Sequence, residues 1–592
     1  MLQEQEPIVV PVCFKYTNTA CCTLQWYVHR TEYHPVETTF EPLINGEEAF
    51  AAVHRAIADA KCSIDICCWG FQPSMYFIRD GSAPSIGELL RTKAREGVRV
   101  RILGWEMPLN TAGLGGEANL PGKAPTGFDD RALQSSTEEQ YEYDKQWFAD
   151  CSVFDFNARR QVGKQLPVFV SRGFSLLERN QIFFDVHLNA LDRDLSLMTK
   201  GLHADTVTHH QKTVLVDYER PESAIGFVMG HNMLDEYWDT DRHSARNRTG
   251  HDRPSPDKGP RGHQPRQDIS SRVTGPILEH LHHNFAQSWQ KETGEDLLGD
   301  RRAKELALRL EPGPGTHQMA QLLRTQAQFG VRDIEKMYMQ AVNNATQFIY
   351  IENQYFRWPP LAEKIKDIAL RQTMAGRDPG EYGAIHLFVI TNADEGGLGP
   401  GIANTQRMVE SLGRADTMPA ATKLKRIQRA RSRAPSQASP ENRLALEREI
   451  EEIEKSTVRP EEIPGLKVHI CSLVAPDSWS HSQWTPTYIH SKLMIVDDVF
   501  TTLGSANINT RSMQVDSEIN IAHEWMTVTQ SLRRRLWDLH TGGMGAQDDA
   551  PSAFKKWQEI IDDNKLRQYQ KSTPSAPLIE FYVDAASLRD WD

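Results

Sequence analysis

The chain has 592 residues and carries 67 Lys and Arg against 79 Asp and Glu, a formal charge of −12. Hydrophobic residues make up 39% and charged residues 25%, which excludes a disordered or fibrous chain and allows large cores without disulfide or metal staples. The acidic balance argues against a general nucleic-acid coat, which needs a positive field, while leaving room for a locally basic cleft.

Met1 to Pro11 holds two early glutamates and no apolar core of signal length, so no cleavable secretory signal is expected. No apolar run approaches the ~20 residues that span a bilayer. The eight cysteines form no CxxC pair and read as reduced thiols, with Cys67 and Cys68 buried in the run SIDICCWGF. These features place synthesis in a cytoplasm.

After an N-terminal extension (1–39), Gly46 to Phe71 reads as a helix with Phe50, Val53 and Ile57 on one face, followed by a strand through Ile64 and Ile66. A β-rich run follows at 98–105. Residues 107–135 and 240–268, rich in Gly, Pro and polar side chains, read as long loops. Pro276 to Trp289 reads as a helix opened by proline, with Leu278, Leu281, Phe285 and Trp289 on one side. The stretch EPGPGTH at 311–317 marks a linker (311–330) between a first half (40–310) and a second (331–592).

The second half repeats the grammar of the first. Val331 to Phe356 is again a helix, with Ile334, Met337 and Ala341 on its apolar face, leading into FIYIENQYF. Ser63 aligns with Phe348, 285 positions later, and another β-rich run stands at 384–392. Each half carries the string HxKxxxxD: His210, Lys212 and Asp217, then His490, Lys492 and Asp497, 280 positions apart. Two unrelated landmarks at nearly one offset indicate an internal duplication. Alternating strands and helices predict two similar α/β sandwiches. A charged insertion at about 396–464 opens with EGGLGPG and contains the basic run Lys423 to Arg433. That run reads either as a solvated helix face or as a contact for anionic headgroups.

The chemistry sits on the repeated string. Residues two apart in a strand point the same way, so each histidine shares a face with its lysine. Asp217 and Asp497 lie an odd number of positions on and read as structural partners. Each string is followed by a β-run ending in small residues and an amide: Gly230-His231-Asn232, and Gly504-Ser505-Ala506-Asn507. Small residues admit a ligand to the backbone, and an Asn amide can donate to an oxyanion. Two copies of His, Lys and Asn facing one another make a symmetric pocket for a phosphodiester. Lysines and amides would hold the oxygens, one neutral imidazole would attack phosphorus, and the other would protonate the leaving oxygen. The symmetry does not choose between the histidines, and the arrangement requires no metal or cofactor.

The paired HxKxxxxD strings, GSAN at 504–507 and IENQYF at 351–356 resemble the phospholipase D superfamily, over about residues 40 to 525. The resemblance implies two phospholipase D-like α/β/α sandwich domains about a pseudo-twofold axis, with the active site at their interface. It also implies a ping-pong reaction in which His210 is the nucleophile, forming a phosphohistidine, and His490 the general acid/base. Asp239 and Glu518, 29 and 28 positions after the two histidines, would be the carboxylates that orient them. The first copy departs from the pattern at Met229 and Gly230 and in the extra residues after Asp217; His231 is given no role. The IENQYF and GSANINTRSM strings resemble lipid-hydrolysing members, and the start of the first half near residue 40 leaves no room for added lipid-targeting modules. Among bacterial members the chain resembles phospholipase D effectors delivered by type VI secretion. That implies delivery without a cleavable signal to target-cell membranes, a secretion spike partner and a neutralising immunity protein. The expected activity is hydrolysis of glycerophospholipids to phosphatidic acid and alcohol, with the membrane as partner and no nucleic acid. The alternatives are a nucleic-acid phosphodiesterase and a non-catalytic membrane-binding protein. Loops at 107–135 and 396–464, with tryptophans, are the candidate membrane surface.

Overall fold

The computed structural model describes residues 8–11, 19–22, 26–107, 110–112, 117–125, 130–131, 134–153, 165–248, 254–380, 383–393, 401–433 and 439–588. Two sheets with the same plan dominate it. The first contains β1 (Val36–Ile44), β2 (Ser63–Cys68), β3 (Arg99–Trp105), β4 (Val168–Arg172), β5 (Thr213–Val216), β6 (Ile225–Met229) and β7 (Ile269–Thr274). In space the order is β4-β3-β2-β5-β6-β7-β1, parallel from β2 to β4 and antiparallel elsewhere. The second contains β8 (Gln318–Gln326), β9 (Phe348–Asn353), β10 (Ile385–Ile390), β11 (Leu466–Val474), β12 (Lys492–Val496), β13 (Phe500–Gly504) and β14 (Glu518–His523). Its order, β11-β10-β9-β12-β13-β14-β8, repeats the first strand for strand and direction for direction. Val36 to Thr38 of β1 pair with Ala320 to Gln318 of β8, fusing both into one continuous sheet.

Burial follows from composition. β2 and β9 are buried at every position, as expected of central strands covered on both faces. Helix α1 (Asn45–Asp59) lays Phe50, Val53 and Ile57 on Ile64, Ile66 and Phe227. A hairpin of α2 (Leu176–Asn189) and α3 (Leu197–Asp205) stands between β4 and β5, and α4 (Ile277–Thr293) follows β7. In the second half, α5 (Asp333–Asn343) repeats α1, setting Ile334, Met337 and Ala341 on Ile349, Ile351 and Met494. The charged insertion is helical: α6 (Ile402–Ser411), α7 (Pro419–Arg433) and α8 (Pro440–Lys455). Helices α9 (Met526–Thr541) and α10 (Ala550–Tyr569) close the chain's core with Trp537 and Trp557. Residues 395–400 of EGGLGPG, and parts of 107–135, lie outside the described residues.

A third cluster joins the halves, with Phe40, Val228 and Ile269 from the first sheet and Leu322, Leu503 and Ile519 from the second. At about 1.5–3 kcal/mol for each fully buried side chain, this boundary is a core and not a rim contact. The described residues of segment 240–268, read from its composition as a loop, have little regular structure apart from Arg266–Gln267. They are nonetheless packed: Arg248, Arg261, Gln267 and Asp268 are all buried. Among the described residues no helix is long and apolar enough to cross a membrane.

Candidate active site

Each HxK string is stitched to the opposite half before its strand begins. The His210 amide donates to the Ser517 carbonyl at 2.9 Å, and the Ser517 amide donates to Thr208 at 2.9 Å. In the mirror arrangement Pro486–Ile489 runs parallel to Arg266–Gln267, and the His490 amide donates to the Gln267 carbonyl at 2.8 Å. The next residues after Ser517 and Gln267 are Glu518 and Asp268, and they meet the rings. His210 Nδ1 lies 2.9 and 3.0 Å from the two Glu518 oxygens, and His490 Nδ1 lies 2.6 Å from Asp268 Oδ2. With Nδ1 committed as donor, Nε2 is the nitrogen each ring has left for chemistry.

This corrects the expected pair of orienting acids. Glu518 serves the histidine of the other half, and Asp239 serves neither. Asp239 Oδ2 instead accepts from Arg248 Nη2 at 2.5 Å and from the Arg266 amide at 2.7 Å, while its Oδ1 accepts from the Thr240 amide at 2.8 Å. The matched spacing misled because the segment 240–267 lengthens the first half alone. The structural counterpart of Glu518-Ile519, which opens β14, is Asp268-Ile269 at the start of β7. That acid–Ile step before a β-run was the available signal.

Two buried lysines accompany the rings. Lys212 Nζ donates to the His210 carbonyl at 2.7 Å, and Lys492 Nζ donates to the His490 carbonyl and to Gln354 Oε1 at 3.0 Å. Burial pulls Lys212 down to about 8, against the opposing charges of Glu518 and Asp268. Lys492 is lowered by burial and by Lys212, despite Asp268. Both histidines are held well below their ordinary range by burial, His210 further by Lys212 and Lys492, His490 further by Lys492. Each pair therefore acts on the other, and burial favours the neutral form of both imidazoles. The two carboxylates differ. Burial pushes Glu518 up to about 7, although Lys212 and the hydroxyls of Ser505 (2.5 Å) and Ser512 (2.7 Å) oppose it. Burial would also raise Asp268, but His231, His490 and Lys492 outweigh it and hold its carboxyl well below the usual range.

Asn232 and Asn507 each stand three positions beyond the ends of β6 and β13, and the side-chain oxygen of each is buried without a hydrogen-bond partner. Register matches Gly504 with Met229, and Ser505 with Gly230. A Cβ at Gly230 would stand 2.3 Å from Asp268 Oδ1, so the first half has no room for the serine that supports Glu518 in the second. His231 Nδ1 shares a hydrogen bond with Ser270 Oγ at 2.7 Å.

Asp217 and Asp497 lie away from this chemistry. The Asp217 carboxylate accepts from the amides of Lys61, Cys62 and Ser63 at the start of β2. Asp497 does the same for Thr346, Gln347 and Phe348 at the start of β9.

The walls contain residues that no motif indicated. Trp69 meets His210 edge-on at 6.2 Å and stacks on Trp105, and Tyr237 meets His490 edge-on at 4.7 Å. Tyr237 donates to Glu117 at 2.9 Å, and the Arg266 guanidinium lies over both Tyr237 and Tyr488. Behind His490, Glu352 of IENQYF is fully buried. It accepts from His540 Nε2 (2.8 Å), Tyr350 OH (2.7 Å), Gln267 Nε2 (3.0 Å) and Ser491 Oγ.

Comparison with known proteins follows from this geometry. A family model described as Phospholipase D matches residues 424–577. Phospholipase D alpha 1 of Oryza sativa subsp. japonica is 27% identical over 597 residues, covering 86% of this chain and 65% of its own. The Cynara cardunculus protein of that name is 27% identical, covering 86% and 66%, and the Vigna unguiculata one is 28% identical, covering 79% and 59%. The chain therefore spans less than two thirds of the length of each of these relatives. The similarity to phospholipases D thus extends across most of the chain and includes the region of its second HxKxxxxD string.

Proposed function

We propose that the chain is a phospholipase D that hydrolyses the headgroup-side phosphodiester of glycerophospholipids. The observation that carries the reading is the crosswise pairing: two imidazoles from opposite halves, each fixed through Nδ1 by the other half's carboxylate, with a buried lysine bonded to each histidine's carbonyl. His210 Nε2 attacks phosphorus, an N–P bond forms, and the P–O bond to the headgroup breaks. His490 gives a proton to the departing alkoxide, then takes one from water, whose oxygen displaces His210 and releases phosphatidic acid. The lysines and the Asn232 and Asn507 amides neutralise the charge that builds on the non-bridging oxygens. The unequal carboxylates support this division of labour. The ionised Asp268 supports the imidazolium that His490 passes through as the acid, against the burial that favours its neutral form, whereas Glu518 near neutrality gives His210 less support for a cation and leaves it the nucleophile. The IENQYF string and the names of the relatives support lipid as substrate.

The test is incubation with mixed phospholipid vesicles, with phosphatidic acid read by mass spectrometry. Product is expected from the native chain and a loss of at least ~10³-fold from His210→Ala or His490→Ala. Acid-labile phosphate trapped on residue 210 supports the assigned roles, and full activity in either variant overturns the mechanism. Cleavage of oligonucleotides in place of lipid would favour the nuclease alternative.

The finer reading is an antibacterial effector delivered by type VI secretion and neutralised in its producer by an immunity protein. Its support is the motif resemblance to such effectors. Expression directed to the periplasm of a sensitive bacterium should arrest growth, and the His210→Ala chain should not; equal growth with both sinks this reading.

A further inference from the structure

We propose that the α2–α3 hairpin is the element by which the protein enters a bilayer surface, seating the pocket against its lipid. The inference rests on the phospholipase D reading and names a surface that reading leaves open. An ordinary surface helix is apolar on one side only. Helix α2 is apolar on two. Ile182 and Val186 face inward, into a cluster with Phe174, Val207, Ala327 and Val515. On the other side Leu177, Phe184 and Leu188 are 76%, 60% and 74% exposed, at spacings of seven and four that place them on one helical stripe. Leu191, Leu197 and Met198 extend the exposed apolar surface through the turn into α3. Large exposed apolar side chains grouped on one element in this way mark interaction sites.

The hairpin is held in place. Asp185 pairs with Arg332 at 2.5 Å and Asp192 with Arg407 at 2.8 Å, both in the second half, and Glu178 pairs with Lys291 at 2.6 Å. Its roots belong to the pocket. Phe174, just before α2, stacks on His209 at 3.9 Å, and the chain runs from α3 through Thr206, bound by Arg511, directly to His210. Both ends of the hairpin are therefore anchored next to the segment that carries His210. The corresponding segment of the second half, between β11 and β12, also leads to its histidine. It exposes Trp479 at 59%, with the Arg246 guanidinium 4.4 Å from the ring centre, a pairing of aromatic body and charged tip suited to a headgroup layer.

Charge selects the kind of contact. Residues 176–205 hold Arg179, Arg193 and Lys200 against Glu178, Asp185, Asp192, Asp194 and Asp205. Their net negative charge gives no pull toward anionic headgroups. The basic run lies on a different element, α7, and half of its cations, Lys425, Arg429 and Arg433, already face Glu410 and Glu449. Attraction must come from the apolar stripe entering the headgroup–acyl boundary, to a depth of about 5–10 Å.

The experiment compares the full native chain with Leu177→Ser/Phe184→Ser/Leu188→Ser, three exposed positions whose change leaves the core intact. Binding is read by flotation with phosphatidylcholine–phosphatidylethanolamine vesicles. Turnover is read on the same vesicles and on dihexanoyl phosphatidylcholine below its micelle concentration. Vesicle binding and vesicle turnover are expected to fall at least ~10-fold, turnover of dispersed lipid to stay within about 2-fold, and native binding to change little with added salt. Unchanged vesicle binding overturns the proposal. So does an equal loss on both substrates, which would make the hairpin part of the catalytic fold. Native self-association abolished by the triple substitution, without vesicle binding, would assign the stripe to a second copy and also overturn it. Flotation lost in the variant, with no hydrolysis by either protein, would uphold the docking surface while removing the hydrolase reading.

Discussion

His210 and Glu518 belong to different halves, yet the imidazole Nδ1 sits 2.9 Å from the carboxylate, and His490 and Asp268 reproduce the arrangement in reverse at 2.6 Å. Neither half owns a complete histidine–acid pair. Losing the carboxylate frees the ring's tautomer and removes support for its cation, so Glu518→Gln and Asp268→Asn should each lower kcat by about 10²–10⁴-fold. Asp239→Asn should keep kcat within a few-fold, because that carboxylate faces Arg248, and should instead cost about 1–3 kcal/mol of stability. Steady-state kinetics beside thermal melts separate the two outcomes. An Asp239→Asn enzyme that folds but does not turn over would contradict the assignment.

The pocket's titrations set a narrow working range. Glu518 must be ionised to hold His210, which requires a pH above about 7, and Lys212 must be charged, which requires a pH below about 8. The rate should therefore peak between these values and fall on both sides, as read from kcat/KM between about pH 5.5 and 9.5. Stability follows the opposite logic. Between 4.5 and about 7 the folded state keeps a Glu518 proton that the unfolded chain has released, so stability declines as pH rises through that window. The decline is on the order of 3 kcal/mol from 1.4 kcal/mol per pH unit, and Glu518→Gln should abolish it. Lys212 acts between about 8 and 10.5, where the unfolded chain holds the extra proton and stability rises with pH. Denaturant midpoints across pH, in both proteins, measure these slopes.

Asp217 presents a contrasting case within the same motif. Its carboxylate satisfies three amides at the head of β2, and its own backbone sits at a φ of 54°, a left-handed conformation that Asp tolerates better than most side chains. Asp217→Ala leaves those donors unpaired and should cost about 2–4 kcal/mol in denaturant unfolding. The specific rate of the folded fraction should hold within a few-fold below the melting range. A large fall in kcat at native stability would mean that the motif aspartate acts on the pocket.

Spacing within the string kept each histidine near its lysine, whose Nζ donates to that histidine's carbonyl, although both histidines precede the strands that the alternation argument assumed. The duplicated helix–strand grammar likewise carried the sheet plan, since α1 and α5 show their apolar faces in the periodicity of Phe50, Val53 and Ile57 and of Ile334, Met337 and Ala341. The crosswise pairing was not legible. His210 and Glu518 are 308 positions apart, and His490 and Asp268 are 222 apart; only the folded sheets bring them together. Counting from the histidines picked Asp239 because the packed segment 240–267 has no counterpart after His490. The hairpin illustrates a different limit. No motif marked residues 176–189, and only the folded helix shows that Leu177, Phe184 and Leu188 share an uncovered side.

Glu352 extends the same dependence on tertiary partners into the core. Burial alone would raise its carboxyl, yet donors from His540, Ser491 and Tyr350 outweigh that and hold it below the ordinary range. Gln267 and Ser491, two of its four donors, flank the Asp268–His490 pair in sequence, so the carboxylate anchors the backbone that presents both. Glu352→Gln puts an NH₂ group where a donor already points, and should cost about 2–4 kcal/mol of stability. Gln267 would then shift, and with it Asp268, so kcat should fall about 10-fold with KM nearly unchanged. Tyr350→Phe removes one donor, leaves the other three in place, and should cost about 1 kcal/mol with no change in rate. If Glu352→Gln keeps both its melting temperature and its kcat, then packing of the sheet, and not this carboxylate, holds His490 in register.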